Sequence, residues 1–355
     1  MSEKFAQHPQ HILIVRLSAI GDIIMASSVI PALRQTYPQA KISWLVQKEA
    51  ADLLRANSDL EEVIVWPRSE WSKLWKQRQW LKLLKEIRGF RKSLRAHNFD
   101  LAIDLQGLFK SALMVYFTGA QKRLGFSSRE GSNWMMTEVI EKKRDDPRLG
   151  SEYCDLARHL NPQLKRFPMS IQYNAEDQRT AQSIIHALNI PSGQFVALCP
   201  FTTRPQKHWV DDYWKELILQ LEQRWNRYTA ILGGPNDRDY AQTLIPAQAQ
   251  QCFNLAGQTR LRQAASVIAQ AQLLIGVDTG LTHLGTAMNT PTLALFGSTR
   301  PYLETESPLT EVIYLPRPCS PCRRSPTCNG RFDCMREVTV DRVLERVAEH
   351  IKRAA

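Results

Sequence analysis

No stretch of this sequence approaches the ~18 consecutive uncharged apolar residues that a bilayer-crossing helix requires. A membrane-spanning chain is therefore not expected. The opening segment MSEKFAQHPQHILIVRL holds only a four-residue apolar run before Arg16, too short for the apolar region of a signal peptide, so a cytoplasmic address is expected. Cysteine is sparse: seven in 355 residues, an odd number, is not the dense framework of a small secreted disulfide domain. The Gly-x-Gly-x-x-Gly fingerprint is missing from the first strand-to-helix turn, which counts against a dinucleotide-dependent dehydrogenase. Tandem repeats and low-complexity tracts are missing too, which sets aside solenoids and disordered chains.

What remains is ordinary globular composition. Apolar residues at 43% and charged residues at 23% supply ample core, and 355 residues exceed what a single core usually serves, so two domains are expected. The net charge of +11 attracts anions, whether nucleotides, phospholipid surfaces or nucleic acid. Its placement is uneven. Ten Lys or Arg stand between Arg68 and Arg95 against Glu70 and Glu86, and Trp66, Trp71, Trp75 and Trp80 lie in or beside that stretch. Such a segment suits an anionic membrane surface, where aromatic rings sit at headgroup level and basic side chains meet phosphates. The competing reading is a solvated helix with inward-packed tryptophans. No nucleic-acid-binding motif accompanies the charge.

Short buried-strand patterns alternate with helical periodicity along the chain. Strands are expected at His11–Leu17, Lys41–Val46, Glu62–Trp66 and Leu101–Leu105, with helices from the Ser18–Asp22 turn to Tyr37, over Glu49–Ala56, and over roughly Trp80–His97. A second series opens at Gln194–Pro200 and continues with strands at Tyr228–Leu232, Leu273–Val277 and Thr292–Phe296. Its helices are expected over Asp212–Trp225, Arg238–Leu244, Leu261–Ala271 and Leu281–Met288, with a closing amphipathic helix over Thr339–Ala355. Alternation of this kind predicts an α/β fold with parallel sheets covered on both faces. A weaker, polar region over Glu141–Pro168 precedes the second series, and the linker is expected near residues 165–190, giving domains of 1–175 and 176–355.

Ligands of open α/β sheets sit beyond the carboxyl ends of the strands, so the loops that follow each strand carry the chemistry. Ser18-Ala19-Ile20-Gly21-Asp22 offers a carboxylate at a helix start, equally at home as a helix cap. Thr202, Thr203 and Lys207 follow a second-domain strand, where hydroxyls, backbone N–H groups and an ammonium can converge on a phosphate. Gly233-Gly234-Pro235-Asn236-Asp237 gives a ligand close backbone approach and offers the Asp237 carboxylate to a ribose. Asp278-Thr279-Gly280-Leu281-Thr282-His283 is a strand-to-helix junction suited to a diphosphate, with a simple helix cap and a packed core histidine as the plainer account. Cys319, Cys322, Cys328 and Cys334 place four thiols within sixteen positions, a set compatible with a structural tetrahedral zinc and equally with free or paired thiols.

Jointly, four motifs resemble the glycosyltransferase family 9 heptosyltransferases in order and spacing, over nearly the whole chain. They are Ser18-x-x-Gly21-Asp22, Asp104-Leu105-Gln106-Gly107-Leu108-x-Lys110-Ser111, Thr202-Thr203 with Lys207-His208-Trp209, and Val277-Asp278-Thr279-Gly280-Leu281-Thr282-His283. The resemblance implies the GT-B architecture, two Rossmann-like doubly wound domains facing across a cleft, the first binding acceptor and the second the nucleotide-sugar donor. It implies inverting transfer without a metal or other cofactor, from ADP-L-glycero-β-D-manno-heptose to Kdo-lipid A in lipopolysaccharide inner-core synthesis, on the cytoplasmic face of the inner membrane. Asp22 looks like the general base. Thr202, Thr203, Lys207, Asp237, Asp278, Thr279, Gly280 and His283 look like the donor site, and Ser18, Gly21, Lys110 and Arg129 the acceptor site. Lys110 and Arg129 favour the type I subgroup, whereas Glu141–Asp155 lacks the histidine expected there. A heptosyltransferase II or another family 9 transferase is the sister reading. A nucleotide-sugar epimerase would turn over donor without acceptor, and a non-catalytic basic protein would bind no nucleotide.

Overall fold

Runs such as Ile12–Val15 and Ile42–Val46 are buried along their whole length instead of on alternate residues, the mark of strands covered on both faces. In the computed structural model, which describes residues 9–142, 148–191, 193–299, 304–305, 307–322 and 325–354, these runs become the centres of two parallel sheets. The chain divides into two compact units between Ser170 and Ile171, with 148–149 joining the second.

In the first unit β1 (His11–Val15), β2 (Lys41–Gln47), β3 (Glu62–Trp66), β4 (Leu101–Asp104), β5 (Lys122–Phe126) and β6 (Glu138–Ile140) form a six-stranded sheet in the order β3-β2-β1-β4-β5-β6. Every pairing is parallel. The helices are α1 (Ile20–Ala26), α2 (Val29–Thr36), α3 (Lys48–Leu54), α4 (Arg68–Lys76), α5 (Trp80–Ala96), α6 (Phe109–Thr118) and α7 (Ser151–Leu160). The single helix expected from the first turn to Tyr37 is two. The Ser27 and Ser28 hydroxyls donate to the carbonyls of Ile24 and Met25, and Pro31 can donate no helical hydrogen bond back to Ser27, so the chain breaks there. In the basic stretch the expected long helix is α5, and α4 precedes it, with a turn at Gln77–Gln79 between them.

The second unit repeats the plan with β7 (Phe195–Cys199), β8 (Tyr228–Ile231), β9 (Cys252–Asn254), β10 (Leu273–Val277), β11 (Thr292–Phe296) and β12 (Thr310–Tyr314), all parallel, in the order β12-β11-β10-β7-β8-β9. Its helices are α8 (Ala175–Ala187), α9 (Asp211–Trp225), α10 (Arg238–Thr243), α11 (Leu261–Ala269), α12 (Gly280–Ala287), α13 (Asp333–Arg336) and α14 (Val340–Ala354). Much of the expected linker is α8. Asn174 caps it by accepting from Asp177 N at 2.9 Å, and the buried Asp177 carboxylate lies 3.4 Å from Arg262 of the neighbouring α11.

Both sheets carry the doubly wound strand order, so each has one switch point: between β1 and β4 in the first, between β7 and β10 in the second. Gly276 shows how tightly the second is packed. A Cβ there would lie 2.2 Å from Thr282 Oγ1 and 2.8 Å from Cys199 Cβ, so only glycine lets α12 start this close to β7.

Candidate active site

At the first switch point the loops after β1 and β4 interlock. Arg16, just beyond β1, is buried, and its Nη1 donates to Leu105 O at 2.8 Å while Leu17 N donates to Gln106 Oε1 at 3.0 Å. Asp104 closes β4: its Oδ1 accepts from Gln106 N and Gly107 N, and its Oδ2 accepts from the Ser111 hydroxyl. Burial raises this carboxyl above its ordinary value, with those donors and Arg16 opposing. Gly107 takes a φ of +68°, the left-handed turn that folds Asp104 back under the start of α6.

This frame presents Asp22. Its Oδ2 lies 2.5 Å from Arg16 Nη2 and accepts from Ala19 N at 3.2 Å, and the side chain remains 41% exposed. The carboxylate is thus a helix cap and an ion-pair partner through one oxygen, while Oδ1 takes no partner among the described residues. Burial opposes the Arg16 charge, but attraction to Tyr153, Asp22 and Glu152 outweighs it and holds the guanidinium above its ordinary value.

Further cations gather round the pair. Burial lowers the Lys110 ammonium, with Arg68 and Arg16 near enough to push the same way and Glu130 opposing. Lys142 Nζ sits 4.6 Å from the centroid of the Phe126 ring, which tilts against Tyr153, over which lies the Arg16 guanidinium. Although much of the Lys142 stem is exposed, its charged end is lowered by burial, within electrostatic reach of Glu152, Arg16, Asp104 and Asp22. Ser18 and Gly21 flank Asp22 in the same turn, half-buried. Arg129 is exposed, beside Glu130, whose Oε2 accepts from Phe109 N at the start of α6.

At the second switch point the loops after β7 and β10 meet through charge. Lys207 Nζ lies 2.5 Å from Asp278 Oδ2, and His283 Nε2 lies 3.4 Å from Asp278 Oδ1. Burial pushes the Asp278 carboxyl up, yet the hydrogen bonds and charges of His283 and Lys207 prevail and hold it well below the usual carboxylate range. Asp278 therefore orients a lysine and a histidine together. Thr279 is the N-cap residue of α12 and Gly280 its first residue, so the unpaired N–H groups of that first turn open at this point. Thr282 is buried and donates to Val277 O at 2.6 Å.

The loop bearing Thr202, Thr203 and Lys207 is closed by His208, whose Nε2 donates to Thr202 O at 3.0 Å, and anchored by the buried Trp209, whose Nε1 donates to Val338 O at 2.7 Å. Thr203 is exposed and Thr202 half-buried. Asp237, after β8, spends Oδ2 on Gly234 N at 2.8 Å, holding the Gly233–Asp237 turn.

The motif reading passed over Arg16 and Lys142. An arginine following a strand has no motif of its own, and Lys142 comes from the end of the sheet's outermost strand, so its neighbours exist only after folding. The four cysteines do assemble: Cys319, Cys322, Cys328 and Cys334 are free thiols around one cavity of about 200 Å³ that Gln206 also lines. Among the described residues, however, no three His, Cys, Asp or Glu side chains form a group able to hold a metal ion, so the zinc expectation gains donors in one place but no ligating geometry.

Comparison with known proteins gives this arrangement its context. Residues 87–332 match the family model described as glycosyltransferase family 9 (heptosyltransferase). Lipopolysaccharide heptosyltransferase 1 of Escherichia coli K12 is 28% identical over 303 residues, covering 82% of this chain and 89% of that protein. Lipopolysaccharide heptosyltransferase 2 of the same strain is 26% identical over 350 residues, covering 95% and 97%. The solved structure of E. coli ADP-heptose lps heptosyltransferase II superposes with a TM-score of 0.76 at 25% identity, covering 97% of this chain and all of that one. That of E. coli heptosyltransferase WaaC with ADP-2-deoxy-2-fluoro heptose shares the fold at a TM-score of 0.72 and 24% identity, over 96% of this chain and 99% of that one. The two six-stranded parallel sheets are the GT-B fold, and the chain belongs to glycosyltransferase family 9, the heptosyltransferases.

Proposed function

We propose that this glycosyltransferase moves L-glycero-β-D-manno-heptose from its ADP conjugate to the Kdo of Kdo-lipid A, with inversion, in assembly of the lipopolysaccharide inner core. The observation that carries the reading is Asp22: a partly exposed carboxylate at a switch point, ion-paired through one oxygen to a buried arginine, with cations around it. An acceptor hydroxyl attacks the anomeric carbon of the donor as the bond from that carbon to the β-phosphate oxygen breaks. Asp22 takes the hydroxyl proton, and ADP departs with the electron pair.

The first unit serves the acceptor in this reading. Ser18 and Gly21 shape the turn beneath it, and Lys110 and Arg129 meet its carboxylate and phosphate groups. The second unit serves the donor: Thr202, Thr203, Lys207 and the opening N–H groups of α12 at Thr279 and Gly280 face the diphosphate. Asp278 acts by holding Lys207 and His283 in place, since a bare carboxylate against phosphate would repel it. Asp237 offers its remaining oxygen to a ribose hydroxyl of the donor. The cysteines around the cavity beside Gln206 have no step in this transfer, and metal analysis of the purified protein tests the zinc expectation separately.

The enzyme works, in this proposal, at the cytoplasmic face of the inner membrane, with the basic segment from Arg68 to Arg95 drawn to anionic lipid. Among the described residues no helix is long and apolar enough to cross a membrane. The test is mass spectrometry of Kdo-lipid A incubated with enzyme and ADP-heptose. A gain of one heptose supports the type I reading. A gain only on an acceptor that already carries heptose supports the type II reading, and ADP-heptose turnover without acceptor overturns both.

A further inference from the structure

The four tryptophans of the basic segment part company in the structure. Trp66 is buried, and Trp71 packs edge-on against it and against Phe90, ring centroids 6.0 and 5.6 Å away, in the core beneath the sheet. Trp75 and Trp80 do not join that core. They stand edge-to-face with each other, centroids 4.5 Å apart, at the apex of the α4–α5 hairpin, and remain 62% and 44% exposed. Leu81 and Leu84 beside them are 85% and 47% exposed. The turn is defined in detail: Arg78 N donates to Trp75 O, Gln79 N donates to Leu74 O, and Arg78 adopts a φ of +56°. No residue of α4 is buried, and α5 buries only Leu83 and Leu94.

Four large apolar side chains at a fixed apex leave between 44% and 85% of their surface in water, and that part contributes no burial to the fold. Around them Lys73, Lys76, Arg78, Lys82 and Lys85 are all exposed, and none pairs with a carboxylate among the described residues. A protein-binding patch is depleted of lysine at its centre. A nucleic-acid groove uses stacked aromatics but has no use for exposed leucines. Aromatic and aliphatic side chains ringed by basic ones match the interface of an anionic bilayer, where indoles settle at headgroup level and long basic side chains reach the phosphates.

We propose that the apex of the α4–α5 hairpin is a wedge that inserts Trp75, Trp80, Leu81 and Leu84 into the interfacial layer of an anionic bilayer, with the surrounding lysines and arginine binding lipid phosphates. This rests on the membrane part of the function proposed above and deepens it: attachment has an inserted component as well as a long-range electrostatic one. Salt weakens only the second. The wedge also makes attachment separable from transfer, because none of its residues is among those proposed above for the donor or acceptor sites.

Sedimentation with phosphatidylcholine vesicles, with and without phosphatidylglycerol, tests the wedge. The full-length protein binds the anionic vesicles, keeps part of that binding at raised salt, and has its tryptophan emission quenched by lipids brominated on the acyl chains. Trp75→Ser combined with Leu81→Ser loses the salt-resistant binding by at least about tenfold and loses the quenching, while binding at low salt persists. Lys82→Glu with Lys85→Glu loses the preference for anionic vesicles. Both pairs retain normal transfer to a deacylated, water-soluble acceptor, so failure of the wedge and failure of the proposed activity are read separately. Salt-resistant binding and quenching that survive in the Trp75, Leu81 variant overturn the wedge. So does absence of vesicle binding, or tighter binding to single-stranded RNA than to anionic vesicles.

Discussion

Arg16 and Asp22 form an ion pair of 2.5 Å across the first turn of the chain, with the arginine buried and the carboxylate open to solvent. The pair fixes one oxygen of the carboxylate and leaves the other without a partner among the described residues.

Asp22→Asn keeps the side-chain shape and its ability to cap α1 but removes the base. General-base assistance is worth roughly 10²–10⁴-fold, and transfer at saturating substrates is expected to fall by at least that much, with ADP affinity unchanged. Circular dichroism accompanies the assay, since Arg16 then loses its charged partner. A variant that turns over at the normal rate reduces Asp22 to a cap.

Lys207→Ala removes the ammonium proposed to face the diphosphate. Charge-assisted contacts contribute about 1.5–3 kcal/mol, so calorimetry is expected to show ADP binding weakened roughly 10- to 150-fold. Lys207→Arg retains part of the affinity. An unchanged dissociation constant takes Lys207 out of the donor site.

The depressed Asp278 carboxyl carries a pH signature. A folded-state value below the unfolded one means the ionised group stabilises the fold above the ordinary carboxylate range, and that contribution is lost as pH falls through the folded value. The melting temperature of Asp278→Asn should therefore lie furthest below that of the natural protein near neutrality. The gap closes as pH drops below about 4. A gap that is constant with pH refutes the ionised pair with Lys207.

Lys142 is expected to act on the acceptor alone. Lys142→Ala should raise KM for Kdo-lipid A while leaving ADP binding intact. Because burial lowers its ammonium, the natural enzyme should lose acceptor affinity on the alkaline side at a lower pH than an ordinary lysine would dictate. Lys142→Arg should abolish that alkaline rise. Equal KM values in the alanine variant and the natural protein exclude the role.

Gly276→Ala probes the second switch point by packing. The added methyl meets Thr282 Oγ1 and Cys199 Cβ well inside contact distance, and overpacking of this kind costs about 1–3 kcal/mol. The melting temperature is expected to drop by roughly 2–10 °C. No change in a thermal melt means that α12 can shift away from β7 at little cost.

The central strands were legible from the sequence because they are long apolar runs with turn residues behind them. β5 and β6 escaped it: one begins Lys122-Arg123 and the other has three residues, so neither shows an apolar run. α8 falls within the expected linker, because its polar residues show no clear apolar stripe. Its stability comes from a capping box and from Asp177 meeting Arg262, a residue distant in sequence.

For the candidate site, the sequence by itself determined which loops follow the carboxyl ends of the central strands. Glycines, threonines and carboxylates between a buried strand and a helix are local features, set by neighbours a few positions away. Only tertiary structure decided the partnerships: that Arg16 serves Asp22, that Asp278 grips Lys207 and His283, and that Lys142 lies over Phe126 within electrostatic reach of Asp22. It also decided that Trp71 packs inward while Trp75 and Trp80 face water. The reason is the parallel sheet. Strand neighbours such as β1 and β4, or β7 and β10, are far apart in sequence, so the charges at their ends meet only once the crossovers are wound and burial has fixed which pairs face each other.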